Sequence, residues 1–391
     1  MHPIYLDHNA TTPIHPEVVR AMDRCYAEGY ANPASQHRLG QRARKVLEDA
    51  RERIAEILGA DLSGAQPDRL IFTSSATEAN NLALLGIARA SGPQPGQVIT
   101  SAIEHPSVIE PAEQLMEQGW DYDGLGVTSD GVVRTELLPG LLTEKARVVS
   151  VTLGNHDTGV LQPVARLAAL CNQAGVPLHT DAAQVVGKLP VSFRQLGVAA
   201  MSLGAHKFRG PLGIGALIVR HDVALKPLMF GGPHQGGQRP GTESVALAVG
   251  MLTALEIWER DQQAYIRQMT TLRDRFESGL KAGAPEVIVH GAAAHRLPNT
   301  SNIAFPGPDG QVLLMALDLS GVACSVGSAC SSGSTELSPV LRAMGLPNEI
   351  VARSLRFSLG TTTTEAEIDR AVARILHVYR ELGGGHSFAV L

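Results

Sequence analysis

Cys330 lies in the run SVGSACSSGS, a thiol among glycine, serine and alanine with no apolar face beside it. Cysteine is normally among the most buried residue types. This run, however, holds too much Gly and Ser to fix one backbone conformation. The thiol is therefore either a loop cysteine of no consequence or a reactive group expected on a mobile arm. Other candidates are spread along the chain. Lys207 and His206 lie in the glycine-rich turn GAHKFRGPLGIG, and Asp181 closes the apolar run VPLHT with Gln184 three residues on. Asn155 stands in the turn GNHDTG and His105 in IEHPSV. The run SATEANN puts Ala76 and Thr77 at the opening of a helix. Free N–H groups and the positive dipole end make such a place a natural anion site. Each has a plain alternative. Thr77 would be an ordinary N-cap with Asn80 and Asn81 in solvent, His105 a surface histidine, and Lys207 a solvated amine.

The elements that must carry these residues alter the balance. Short apolar runs at 69–75, 96–102, 146–153, 176–182, 198–205 and 213–220 read as strands, with helical patterns such as 77–90 and 163–175 between them. That alternation predicts a mainly parallel α/β sheet flanked by helices. Ligands of such sheets bind outside the carboxyl ends of the strands. Five consecutive strand ends then carry an anion cup, an imidazole, an amide, a carboxylate and an amine. After about residue 260 the texture changes. A long charged helix leads into the shorter strands EVIVHG, SNIAFP and LRFSLG, separated by the helices DGQVLLMALDLSG and TTEAEIDRAVARILHVYRELGGG. The expected division is a large domain over 15–260 and a smaller α+β domain made of 1–14 and 261–391, which would carry Cys330.

Pyridoxal 5'-phosphate needs the functions gathered at those strand ends. It requires an amine for a Schiff base, a carboxylate to keep its pyridine nitrogen protonated, and an anion site for its phosphate. Neither a P-loop GxxxxGK[ST] nor a strand-anchored GxGxxG competes for the sheet. The motifs YLDHNATTP, SSATEANN, EHPSV, NHDTG, HTDAAQ, HK-x-x-GP-x-GIGAL, RPGT, GSACSSGS and LRFSLG, in that order from residue 5 to about residue 375, resemble the NifS/IscS-type (group I) cysteine desulfurases. The resemblance implies a pyridoxal-phosphate enzyme of fold type I, aminotransferase-like, that converts L-cysteine to L-alanine and holds the sulfur as a persulfide. It further implies that Lys207 is the Schiff-base lysine, that Asp181 pairs with the pyridine nitrogen and that His105 stacks on the ring. Asn155 and Gln184 would bond the ring hydroxyl. Ala76, Thr77 and His206 would contact the phosphate, with Thr242 reaching in from the partner subunit of a homodimer. Arg356 would clamp the substrate carboxylate, together with Asn155, and Cys330 would be the nucleophile on a swinging arm. A sulfur-acceptor protein, such as one for iron–sulfur cluster assembly, is implied as partner.

Three departures from the family pattern stand out. Gly204 replaces a serine three residues before Lys207, Asp157 replaces a glutamate in NHDTG, and GGPHQGGQRPGT loses an acid and an arginine. Selenocysteine lyase, or another lyase or aminotransferase on the same fold, is the nearest alternative activity. A non-catalytic binding relative is the alternative of another class. The net charge of −5 offers no basic footprint for nucleic acid or a membrane surface. Four cysteines without CxxC spacing suggest neither a disulfide framework nor a metal site. The opening MHPIYLDHNATTP shows no signal-peptide pattern, and a cytoplasmic setting, where a thiol stays reduced, is expected. Cys25, Cys171 and Cys324 are expected in packed positions.

Overall fold

The computed structural model describes residues 3–327 and 337–383. After β1 (Ile4–Tyr5), seven strands form the main sheet: β2 (Arg69–Thr73), β3 (Gln97–Ser101), β4 (Asp121–Leu125), β5 (Ala146–Ser150), β6 (Leu178–Asp181), β7 (Ala200–Gly204) and β8 (Gly215–Val219). Their order is β2-β8-β7-β6-β5-β3-β4, and only β8 runs against the others. The sheet is thus mixed α/β and mainly parallel, as its alternating pattern predicts.

Strand alternation builds two cores from one sheet. Leu70, Phe72, Ile99, Met201, Ala216 and Ile218 face one layer of helices, while Ile71, Val98, Ala200, Leu217 and Val219 face the other. Successive side chains of a strand point to opposite faces, so a run without polar interruptions is what a sheet covered on both sides requires. The strand β4 is absent from the sequence expectations. It is an edge strand, DYDGL, pairing only with β3, so little of it is buried and no apolar run betrays it.

The apolar stretch 245–258 and the charged stretch after it are one continuous helix, Val245–Gly283. Its first half lies in the sheet's core (Met251, Ala254, Leu255), and its second half supplies Leu272, Phe276 and Leu280 to a separate cluster. That second cluster also holds Ile4, Leu6, Phe305, Phe357, Ile375 and Tyr379. It is built around β9 (Ile288–Val289), β10 (Thr300–Ala304), β11 (Val322–Ala323) and β12 (Ser354–Ser358). The antiparallel order is β12-β10-β9, and β1 pairs with β11 in parallel. The N-terminal residues therefore pack with elements from the far end of the chain. No helix among the described residues is long and apolar enough to cross a membrane.

Candidate active site

The anion end forms where β2 gives way to the helix Ala76–Ala90. Ser75, not Thr77, caps it: its hydroxyl accepts from the Glu78 N–H at 3.2 Å. Thr77 is exposed and Ala76 half-buried. A Cβ on Gly215 would lie 2.4 Å from the Ser75 carbonyl carbon, and one on Gly204 would lie 3.2 Å from the Ala76 Cβ. The two strands thus approach the helix opening as closely as backbone allows, and the missing serine at 204 leaves no side chain in that cradle. An acid in the first turn would repel an anion, but Glu78 is held by both arms of Arg239 at 2.8 and 3.2 Å. His206, beside the cradle, has its Nδ1 3.1 Å from the Thr11 hydroxyl. Burial, then Lys207 and Lys188, push His206 down to about 4, so it is neutral at pH 7.

Asp181 ends β6, and its carboxylate accepts from Asn80 Nδ2 at 2.7 Å and the Ala183 N–H at 2.8 Å. The plain alternative that leaves Asn80 in solvent fails: it is fully buried. It faces inward because the helix presents it, one turn in, toward the strand ends. Asn80 Nδ2 also donates to the Ser107 hydroxyl at 2.8 Å, which sits 2.8 Å from His105 Nδ1. Since His105 Nδ1 also accepts from the Ser107 N–H as a helix N-cap, the network assigns its proton to Nε2. Burial lowers the His105 pKa; Asp181 opposes this, while Lys207 and Arg356 add to it. His105 is therefore neutral and within electrostatic reach of all three.

Lys207 follows β7 in the tight turn Ala205–Phe208, which closes with Arg209 in the left-handed region at φ 66°. Its Nζ donates to the carbonyls of Asn9 at 2.6 Å and Ala10 at 3.0 Å. Gln184 Nε2 donates to the same Asn9 carbonyl at 3.0 Å. Buried Lys188 fastens this arrangement, donating to Asn9 Oδ1 at 3.0 Å and Gln184 Oε1 at 2.6 Å. Burial, with Lys207 and Arg356 nearby, drives the Lys188 pKa well below that of an ordinary lysine.

Asn155, after β5, is fully buried. Its Oδ1 accepts from the N–H groups of Asp157 and Thr158 at 3.0 and 2.8 Å, and its Nδ2 donates to the Ile103 carbonyl at 3.0 Å. Much of its capacity thus shapes its own turn. Arg356 comes from the middle of β12, buried, with Nη1 on the His156 carbonyl at 3.1 Å and Nη2 on Asp7 at 2.8 Å. Its Nε is buried without a partner among the described residues. The His156 ring stands edge-on to His105, centroids 5.3 Å apart.

Residues 105, 181, 184, 206 and 207 are thus brought to one edge of the sheet, with 155 and 356 beside them. Thr242 is exposed on the loop before the helix Val245–Gly283. Cys330 lies outside the described residues. Cys25 and Cys171 are buried, and Cys324 packs partly buried on the second core, its thiol pushed up to about 12 chiefly by burial. Sequence reasoning gave no role to Asn9, Asn80, Ser107 or Lys188. Each stands inside or next to a motif, and the spacing of four between Gln184 and Lys188 is the one signal that pairs them on a turn.

The donor set fits pyridoxal phosphate: a backbone-lined cradle at a helix N-terminus, a buried hydrogen-bonded carboxylate and an amine all face one region. The family model described as aminotransferase class-V matches residues 4–371. Cysteine desulfurase IscS of Dictyoglomus turgidum (strain DSM 6724 / Z-1310) is 38% identical over 94% of this chain and 92% of its own. Cysteine desulfurase NifS of Azotobacter vinelandii is 38% identical over 97% and 93%. A solved structure named NifS-like protein superposes with a TM-score of 0.89 at 33% identity, covering 97% of this chain and 100% of its own.

Proposed function

The chain belongs to the aminotransferase class-V family, among its cysteine desulfurases, and on that premise we propose how its residues divide the work. The reaction takes one L-cysteine and one protein thiol to one L-alanine and one protein persulfide, with no outside oxidant or reductant. Pyridoxal phosphate, when bound, supplies a carbonyl carbon that takes up the substrate amine and a ring that stores charge from Cα. Ala76, Thr77 and His206 hold its phosphate, with Thr242 from a partner subunit. Asp181 keeps a proton on the pyridine nitrogen, and Asn155 and Gln184 bond the ring hydroxyl. His105 covers the ring.

Arg356 binds the substrate carboxylate through its planar fork. Lys207 Nζ takes the Cα proton and later returns a proton to the product. His105, neutral with its proton on Nε2, serves as proton partner at the substrate thiol. The Cys330 thiolate attacks the substrate sulfur, the carbon–sulfur bond breaks, and the sulfur stays on Cys330 until an acceptor protein takes it. The observation that carries this reading is geometric: hydrogen bonds run from Asp181 through Asn80 and Ser107 to His105, whose ring meets that of His156, the residue whose carbonyl holds Arg356. The second core, which unites Ile4 and Leu6 with residues from 272 to 379, supports the division into 15–260 and a smaller domain of 1–14 with 261–391. A homodimer is supported by the exposed Leu212, Met229 and Phe230, the last 88% exposed, on the segments around the Thr242 loop. We assign the protein to the cytoplasm, with iron–sulfur cluster assembly as one destination for the sulfur.

Cys330→Ser tests the assignment. The purified variant keeps the yellow colour of the cofactor, while alanine production from L-cysteine falls to background. Full turnover in that variant removes Cys330 from the mechanism.

A further inference from the structure

Gly327, the last described residue before segment 328–336, and Ser338, the second described residue after it, meet at one buried carboxylate. Asp157 is 1% exposed. Ser338, on the far side of the segment, donates its hydroxyl to Asp157 Oδ2 at 2.6 Å. Gly327, on the near side, lies so close that a Cβ there would stand 1.9 Å from Oδ1 and 2.1 Å from the carboxyl carbon. The carboxylate itself is steadied by Asn302, whose Nδ2 donates to Oδ1 at 2.6 Å. Asn302 on β10 is the register partner of Arg356 on β12. Ser325 exchanges both backbone hydrogen bonds with Arg356, at 3.1 and 2.6 Å. Asp157 is also the residue after His156, whose carbonyl holds Arg356 Nη1. The near stem, the far stem and the buried arginine are thus tied into one short-range network through Asp157.

We propose that Asp157 is a positioning residue for sulfur transfer: its single carboxylate clamps both ends of the segment that contains Cys330 and couples them to Arg356. Three features argue against an incidental contact. Ser338 is at once the N-cap of the helix Pro339–Ala343, donating to Asp157 while accepting from the Leu341 N–H at 3.2 Å, so its hydroxyl has a defined direction. Residue 327 has to be glycine for a steric reason independent of its backbone angles, because any side chain would occupy the carboxylate's volume. Both carboxylate oxygens are committed to donors on separate elements, so the group cannot turn to serve one without releasing the other. A longer acid at this position would push its oxygens into the space of Gly327 or Ser338. The departure to aspartate is in this light a fit to this chain's own stems.

The inference rests on Cys330 as the thiol that receives sulfur, and its test separates the two claims. Alkylation of Cys330 in the holoenzyme by iodoacetamide, followed by mass spectrometry, reads the holding of the segment whatever the thiol's role. Losing one hydrogen bond to a buried carboxylate shifts a local opening equilibrium by about tenfold. Ser338→Ala is therefore expected to change the alkylation rate about tenfold. It is also expected to slow single-turnover persulfide formation about tenfold, while the absorbance change of the cofactor on adding L-cysteine keeps its rate. Gly327→Ala, which leaves the carboxylate in place and presses a methyl against it, gives the same split. In an Asp157→Ala background the further change Ser338→Ala alters neither rate by more than twofold, since its partner is already gone. The proposal is overturned if folded Ser338→Ala and Gly327→Ala both keep the parent rates within twofold. It is equally overturned if the Asp157 and Ser338 effects multiply independently. Should Cys330→Ser retain turnover, the assignment of Cys330 fails, and the alkylation measurements still judge the clamp.

Discussion

At the carboxyl edge of the main sheet the candidate side chains leave the ends of strands, whereas Arg356 leaves the middle of β12 and Cys330 belongs to a segment whose described flanks meet at Asp157. The first region is stiff by construction. Asp181, Asn80, Ser107 and His105 form one hydrogen-bonded chain, and Lys207, Asn9, Gln184 and Lys188 form another. Such networks in a low-dielectric interior hold geometry because breaking any link leaves a buried polar group unpaired. In the second region Gly327 and Ser338 meet at the Asp157 carboxylate, while Arg356 is held separately by Asp7, the His156 carbonyl and the backbone of Ser325. A cofactor must be held still through the reaction, but a sulfur carrier has to meet the substrate and then an acceptor. With the roles proposed above, the contrast in anchoring follows that contrast in task.

Substitutions can break the comparison from either side. Lys207→Ala has the largest effect: turnover of L-cysteine falls about 10³-fold or more, because both the amine that anchors the cofactor and the proton carrier at Cα are lost. Absorbance of the purified variant and alanine release measure this. Arg356→Lys comes next. Replacing a planar fork by a point charge lowers kcat/KM for L-cysteine about 10- to 100-fold while the cofactor's colour is unchanged. Equal loss of cofactor would show that the two regions are not separable. Asn80→Ala removes the donor shared by Asp181 and Ser107, costing roughly 1–3 kcal/mol of stability, read by denaturant unfolding of the protein with and without cofactor. An unchanged midpoint would show that the chain contributes nothing to the edge's stiffness.

The smallest effect is on pH dependence. His8, His179, His206 and His290 are each held down to about 4, chiefly by burial, against an ordinary 6.5. The unfolded chain therefore binds more protons than the fold between about pH 4 and 6.5, and stability rises with pH there. Buried Glu104, directly before His105, is pushed up to about 8 by burial against an ordinary 4.5. Its sign is opposite: the fold keeps a proton that the unfolded chain has lost, so its contribution falls from about pH 4.5 to 8. Four histidines outweigh one glutamate below 6.5. Above it Lys188, whose depressed pKa leaves the fold one proton short of the unfolded chain, works against Glu104. Relative to the parent, Glu104→Gln should therefore make the change of thermal stability with pH more positive between about pH 6.5 and 8. The steepest slope from one such group is about 1.4 kcal/mol per pH unit. An identical pH profile in the variant would remove Glu104 as a contributor.

Much of the main sheet was legible because strands covered on both faces draw heavily on apolar and small residues, most plainly in β8 (GALIV) and β7 (AMSLG), although β3 and β6 also bury polar side chains. The edge strand β4 and the unity of the helix Val245–Gly283 were not legible. An edge has little apolar burial to display, and a helix that passes from one core to another changes composition midway. Within the site, the groups proposed to act on a ligand announced themselves by type at strand ends. The groups that hold them did not. Asn80 read as a solvated helix residue, since a polar side chain facing inward cannot be told from one facing water by its neighbours in sequence.

The order of motifs alone determined the family and the layered α/β architecture, and it named the amine, carboxylate, imidazole and thiol proposed to carry the chemistry. These follow from local composition and from the rule that parallel strands deliver their ends to one side. Only the folded chain decided that Asn9 would lie between Lys207 and Lys188 and that Arg356 would reach Asp7 across 349 residues. It likewise decided that Gly327 and Ser338 would share Asp157. Contacts of that kind depend on how distant segments pack against one another. Hydrogen bonds and exclusion of volume are satisfied in space, and no single stretch of sequence contains both of their partners.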